Sequence, residues 1–131
     1  MANTYLFFSS LICGLFVAIA VFLFDSNNLL RFNVIHGVIS SLINHYVTND
    51  FFKIYDRCAM VIGFLINLYF ILNTESIHCA SLMLMATSLY LLAKKIDSTQ
   101  LHSGAHIAIT ACNILLLLEN SNTQNLEVRH S

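Results

Sequence analysis

Charged residues are scarce in this chain of 131 residues. They make up 10% of it, while hydrophobic residues make up 57%. Ordinary soluble domains carry roughly 25% charged residues, and a soluble fold of this composition would expose an unusually large apolar surface. The net charge of -1 provides no basic surface for nucleic acid. The composition therefore excludes an ordinary soluble domain and a nucleic-acid partner, and it favours a protein embedded in a lipid bilayer.

Closely paired cysteines are also lacking. The chain has four cysteines, none in a C-x-x-C pair and each in or beside an apolar segment: Cys13, Cys58, Cys79 and Cys112. This spacing suggests neither a disulfide framework nor a thiolate metal site. We therefore expect small, buried apolar side chains at these positions.

The hydrophobic residues fall into runs that approach the length of about 20 residues needed to cross a bilayer. The first run carries no charge and follows no basic segment, so we expect a spanning helix there rather than a signal peptide. The predicted spans are residues 5–24, 29–47, 54–72, 77–93 and 101–118. The sequence thus predicts an all-α integral membrane bundle of about five transmembrane helices. Residues 1–118 would form the transmembrane domain, and residues 119–131 a polar, poorly ordered tail.

Three of these helices carry polar residues on one face, at the spacing of three to four residues that a helix requires. The stripes are Asn33, Gly37, Ser41, Asn44 and His45 on the second helix, Asp56, Gly63 and Asn67 on the third, and His102, His106, Thr110 and Asn113 on the fifth. Unpartnered polar groups are costly in hydrocarbon. We therefore expect the stripes to face one another inside the bundle.

A candidate metal site follows from the direction of the helices. His102 and His106 lie one helical turn apart, and H-x-x-x-H is a common way to offer two imidazoles to one metal. Short loops make neighbouring helices antiparallel. The end of the second helix, with His45, therefore shares one membrane face with the starts of the third and fifth. Asp56 opens the third helix, and Ser41 lies one turn deeper than His45.

These five residues could together hydrolyse an ester or an amide. Three protein ligands and one water make a catalytic zinc site, and zinc makes hydroxide available near neutral pH. We predict that His45, His102 and His106 bind Zn²⁺. Asp56 would take a proton from the water or orient a histidine. Ser41 would donate a hydrogen bond to the oxyanion on the substrate carbonyl.

The pattern resembles the CREST superfamily of membrane hydrolases, which includes alkaline ceramidases and the progestin and adipoQ receptors. The family signature is S-x-x-x-H, then an Asp that opens the next helix, then H-x-x-x-H. It is read here as Ser41-Leu-Ile-Asn-His45, Asp56 and His102-Ser-Gly-Ala-His106. The gap between His45 and Asp56 is closer to that of the ceramidases. The resemblance implies zinc on the three histidines, catalytic support from Ser41 and Asp56, and a membrane lipid amide or ester as the substrate.

The chain departs from this family in its length. The family has seven transmembrane helices, whereas this chain has room for about five. Loss of two helices between the third and the last keeps the direction of each remaining helix. A homo-oligomer could replace the missing walls of the lipid pocket. Ceramidases often have an aromatic residue inside H-x-x-x-H, where this chain has Ser103, Gly104 and Ala105.

Two other functions remain open at this point. Histidines on facing helices could serve as axial ligands of a haem, and the small size suits a non-catalytic membrane interaction protein. His36, nine residues before His45, is expected to contact another helix rather than a metal. The basic residues on the amino-terminal side place the site toward the cytoplasmic leaflet by the positive-inside rule. They are Lys53, Arg57, Lys94 and Lys95.

Overall fold

The computed structural model describes residues 3–130, which form five α-helices and no strand. The helices are α1 (Thr4–Leu23), α2 (Asn28–Tyr46), α3 (Asp50–Thr74), α4 (Ile77–Ile96) and α5 (Thr99–His130). The prediction of an all-α bundle of five helices is confirmed. Every helix boundary except the end of α5 lies within four residues of the expected position.

Local polar groups define where the helices begin and end. Each helix follows a polar side chain that accepts a hydrogen bond from a backbone N–H of its first turn. These capping residues are Asn3, Asn27, Asn49, Ser76 and Ser98. Helices α3 and α4 end at Glu75 and Asp97, which adopt the left-handed conformation with φ of 53°. The resulting connections are short, so consecutive helices are antiparallel.

Four helices, α1, α3, α4 and α5, are long and apolar enough to cross a membrane. Helix α2 is not among them, because its polar residues lower its hydropathy. It nevertheless runs along the whole of α1. The Asn3 amide donates to the carbonyl of His45 at 3.1 Å at one end. The Arg31 guanidinium donates to the carbonyl of Val21 at 3.2 Å at the other. The chain is thus an integral membrane bundle by composition, in which α2 is the polar member.

Helix α5 lies at the centre of the bundle and contacts all four other helices. Its side chains Leu116 and Leu117 are fully buried, together with Val17 of α1 and Leu30 of α2. Many large apolar side chains elsewhere point outward, as in Phe22, which is 87% exposed. An apolar exterior of this extent suits contact with lipid rather than water.

Three asparagines connect the polar faces of α2, α3 and α5. Asn33 Nδ2 donates to Asn67 Oδ1 at 3.0 Å, and Asn67 Nδ2 donates to Asn113 Oδ1 at 2.8 Å. Asn33 Nδ2 also donates to the carbonyl of Gly63 at 3.2 Å. A Cβ at Gly63 would lie 3.2 Å from Asn33 Oδ1, so only glycine gives this contact full room. The prediction that the polar stripes face one another is confirmed for these residues.

The carboxyl-terminal segment differs from the prediction. Helix α5 continues without a break to His130, so the expectation of a poorly ordered tail was wrong for residues 119–130. Residue 131 lies outside the described residues. Neither glycine nor proline occurs after residue 118 to stop the helix. Asn120 and Ser121 are buried, and Asn120 Oδ1 accepts the backbone N–H of Asn27 at 2.7 Å. The segment therefore holds the start of α2.

The asparagine chain generates a stability prediction. Asn67→Ala removes two interhelical hydrogen bonds, and such bonds in membrane proteins average about 0.6 kcal/mol with a maximum near 1.7. We expect the free energy of unfolding in detergent micelles to fall by roughly 1–3 kcal/mol. The matched control is Asn73→Ala, an exposed asparagine on the same helix. Equal stability of the two variants would show that the asparagine chain does not hold the helices together.

Candidate metal centre

The three predicted histidines lie together at one end of the bundle. The ring centroid of His45 lies 5.3 Å from the ring centroids of both His102 and His106. The centroids of His102 and His106 are 4.9 Å apart. One ring nitrogen from each residue lies within 4.8 Å of the other two. His45 comes from the last turn of α2, and the other two come from the start of α5. The predicted convergence of the three imidazoles is confirmed.

The triangle of imidazoles has the size of a mononuclear metal site. Zinc bound to nitrogen at about 2.0–2.1 Å in tetrahedral geometry holds its ligands about 3.4 Å apart. The three side chains would have to rotate to bring their ring nitrogens from within 4.8 Å to that separation. His45 is buried, and His102 and His106 are half-buried, so the group is shielded from bulk water without being sealed. The donor set therefore fits one small divalent ion.

A cavity of about 580 Å³ opens beside the histidines, and its walls include His45 and His102. Residues from the starts of α1, α3 and α5 and from the ends of α2 and α4 line it. The expectation that these helix ends meet at one end of the bundle is confirmed. Lys53, Arg57 and Lys94 line the same cavity. The cavity thus leaves His45 and His102 open to small molecules from outside the bundle.

Asp56 lies in the wall of this cavity, at the start of α3, and is 7% exposed. Its Oδ1 accepts a hydrogen bond from the Ser40 hydroxyl at 2.5 Å, and its Oδ2 accepts one from Asn44 Nδ2 at 2.9 Å. Both donors belong to α2, so the carboxylate couples α3 to the helix that carries His45. It shares the cavity with the histidines without bonding to them.

Ser41 has a different neighbour from the one its predicted role requires. Its Oγ lies 2.9 Å from the Oγ of Ser10 on α1. It is not among the described residues that line the cavity. The adjacent residue Ser40, which the sequence pattern did not single out, is the serine that contacts Asp56. The predicted oxyanion role would require the Ser41 hydroxyl to leave Ser10 and turn toward the cavity.

Three side chains that contact the histidines were missed by the sequence interpretation. Ser9 and Ser10 of α1 have their Oγ atoms 3.3 Å and 3.4 Å from Nδ1 of His106. The available signal was weak, because these serines only interrupt the otherwise apolar run of the first helix. Tyr90 of α4 was missed as well, and its ring packs edge-on against that of His102 at 5.3 Å. Lys94 Nζ lies 5.4 Å from the centre of the Tyr90 ring.

The remaining membrane histidine has a separate environment. Nε2 of His36 lies 2.5 Å from the hydroxyl of Tyr55 on α3, and its ring stacks on Phe32. The prediction that His36 contacts another helix is confirmed. His78, at the start of α4, is exposed at the opposite end of the bundle.

No family model, curated protein or solved structure matches this chain.

The Ser40–Asp56 pair generates a second stability prediction. Ser40→Ala removes a buried hydrogen bond to a carboxylate, and such charge-assisted bonds contribute about 1.5–3 kcal/mol. We expect the free energy of unfolding in detergent to fall by about 1–3 kcal/mol. Ser88→Ala is the matched control, because this exposed serine donates only to the Leu84 carbonyl of its own helix. If Ser40→Ala were no more destabilising than Ser88→Ala, the hydrogen bond between Ser40 and Asp56 would make no measurable contribution to the free energy of unfolding.

Proposed function

We propose that this protein is a zinc-dependent hydrolase that acts within the membrane on a lipid amide or ester. The observation that carries the proposal is the triangle of His45, His102 and His106 beside an open cavity. Structural zinc sites close all four positions with protein ligands, whereas catalytic sites use three and leave the fourth for water. Three imidazoles next to a cavity match the catalytic arrangement.

The arrangement favours a single small ion over a haem, the other cofactor considered. Axial ligands of a haem lie on opposite faces of a broad, flat porphyrin. Here each of the three rings lies near both of the others, with centroid distances of 4.9 Å to 5.3 Å. A porphyrin between any two of the rings would collide with the third. A tetrahedral ion needs no such space.

Asp56 is the group best placed to move protons in this reaction. A zinc ion held by His45, His102 and His106 would supply a Lewis acid and an activated water. The Asp56 carboxylate accepts the proton that the attacking water loses, and returns it to the leaving nitrogen or oxygen. The substrate carbonyl carbon gains an oxygen, its bond to the leaving atom breaks, and a carboxylate and an amine or alcohol result. The hydrogen bonds from Ser40 and Asn44 hold Asp56 facing the cavity.

Membership of the CREST superfamily is part of the same proposal. It rests on the signature formed by Ser41, His45, Asp56, His102 and His106. The lipid substrate is inferred from that resemblance and from the apolar exterior of the bundle, which brings acyl chains to its surface. With five helices rather than seven, the acyl chain would lie partly against surrounding lipid or a second copy of the chain.

Metal content tests the proposal first. We expect purified protein to bind one zinc ion, and expect His45→Ala, His102→Ala and His106→Ala each to lose it, because two imidazoles bind zinc far more weakly than three. Inductively coupled plasma mass spectrometry of the detergent-purified protein measures this. His36→Ala is the matched control, because His36 bonds Tyr55 outside the cluster, and it should retain zinc. A protein free of zinc, or equal loss in the control, would contradict the site.

Turnover tests the catalytic part separately. The nearly isosteric variant Asp56→Asn should retain its zinc but lose hydrolysis by about 10²–10⁴-fold, the usual contribution of a general base. Fluorogenic long-chain amides and esters in mixed micelles measure the rate, and thermal unfolding checks that the variant is folded. A wild-type protein that holds zinc but cleaves neither class would support a non-catalytic role instead.

A further inference from the structure

The hydrogen-bonding environment of His106 is unusual for a histidine inside an apolar bundle. Its Nδ1 lies 3.3 Å from Ser9 Oγ and 3.4 Å from Ser10 Oγ. Both serines belong to α1, which contributes no histidine to the cluster. The cluster therefore receives polar contacts from a third helix. The sequence signature does not include that helix.

Each of these serines is held in turn by another hydroxyl. Ser9 Oγ lies 2.9 Å from Ser103 Oγ on α5, and Ser10 Oγ lies 2.9 Å from Ser41 Oγ on α2. Ser10 is 4% exposed and Ser103 is 8% exposed. The hydroxyls form a continuous chain from α2 through α1 to α5, with His106 Nδ1 at its middle.

This chain differs from the ordinary behaviour of serine in a helix. A helical serine usually returns its hydrogen bond to a carbonyl of its own helix, as Ser81 and Ser88 do with distances of 2.8 Å. Ser9 and Ser10 instead direct their hydroxyls between helices, at the level of His106. Their partners, Ser41 and Ser103, do the same. Ser40, which donates to Asp56 of α3, is another serine that bonds across helices, but the contacts of Ser9 and Ser10 are the ones that reach a histidine of the cluster.

We infer that Ser9 and Ser10 are positioning residues of the metal site, which fix His106 through Nδ1 and leave Nε2 to bind the metal. A neutral imidazole that ligates through one nitrogen carries its proton on the other, and that N–H normally has an acceptor. Either serine oxygen serves as this acceptor. Ser41 supports Ser10 in the same way, so it acts as a positioning residue as well. The inference rests on the proposed function, because it requires a metal on the histidines.

Ser9 and Ser10 are interchangeable acceptors for the Nδ1–H of His106. The losses of zinc affinity in the two single variants should therefore add up to less than the loss in the double variant. In the double variant Ser9→Ala/Ser10→Ala the Nδ1–H of His106 has no hydroxyl partner. Loss of the group that hydrogen-bonds a metal-binding histidine typically lowers metal affinity by 10–100-fold. We expect a loss of about 10–100-fold in zinc affinity for the double variant. Each single variant should lose much less, because one hydroxyl remains.

Titration of the metal-free protein with Zn²⁺ against a competing chelator measures these affinities. The control is the double variant Ser81→Ala/Ser88→Ala, which removes two exposed hydroxyls of α4 that donate to carbonyls of their own helix, and it should bind zinc as the wild type does. Ser10→Thr, which keeps a hydroxyl, should restore affinity when combined with Ser9→Ala. Wild-type affinity in the Ser9→Ala/Ser10→Ala protein would overturn the inference and leave the proposed function intact. A wild-type protein that binds no zinc would overturn both.

A second measurement identifies which ring nitrogen of His106 binds the zinc ion. Nitrogen-15 NMR of the zinc-loaded protein, with labelled histidine, distinguishes a metal-bound ring nitrogen from a protonated one. For His106 we expect a metal-bound Nε2 and a protonated Nδ1. Coordination through Nδ1 would contradict the role of the serines, even if the affinities behaved as expected. This readout needs only the wild-type protein, so it holds if the double variant fails to fold.

Discussion

The need to pair polar side chains between the helices of an apolar bundle governs this structure. Water is absent from the interior of a bilayer, so an unpaired polar side chain there costs several kcal/mol. Asn67 meets this need by bonding Asn33 on one side and Asn113 on the other. Asp56 meets it through Ser40 and Asn44 of the neighbouring helix. These pairings fix the rotation of α2, α3 and α5, and that rotation brings the histidines together.

The same rule explains why so much could be predicted from the sequence. Apolar runs define the helices, and polar residues at helical spacing define which faces point inward. Because the connections are short, consecutive helices alternate in direction. The number of a helix along the chain, and the position of a residue within it, therefore predict the end of the bundle at which that residue lies. His45, His102 and His106 were placed together by this reasoning, and their ring centroids are within 5.3 Å.

What could not be predicted depends on exact rotation and on neighbours distant in sequence. Ser40 and Ser41 are adjacent, and only the packing of α2 between α1 and α3 determines that Ser40 reaches Asp56 while Ser41 reaches Ser10. Periodicity does not reveal a contact between α1 and α5, so Ser9 and Ser10 gave only the weak signal of two serines in an apolar run. Helix α5 continues past residue 118, and there buried Asn120 bonds the backbone of Asn27 just before α2, a tertiary contact that composition does not show.

Together these features describe a bundle whose polar interior joins helices at mid-length and gathers three histidines beside a cavity at one end. X-ray absorption spectroscopy of the zinc-loaded protein tests this account most directly, because it reports the atoms bound to the metal. The account predicts three imidazole nitrogens and one further oxygen at about 2.0–2.1 Å. A sulfur ligand at about 2.3 Å, the distance expected for cysteine, or fewer than three imidazoles would contradict it.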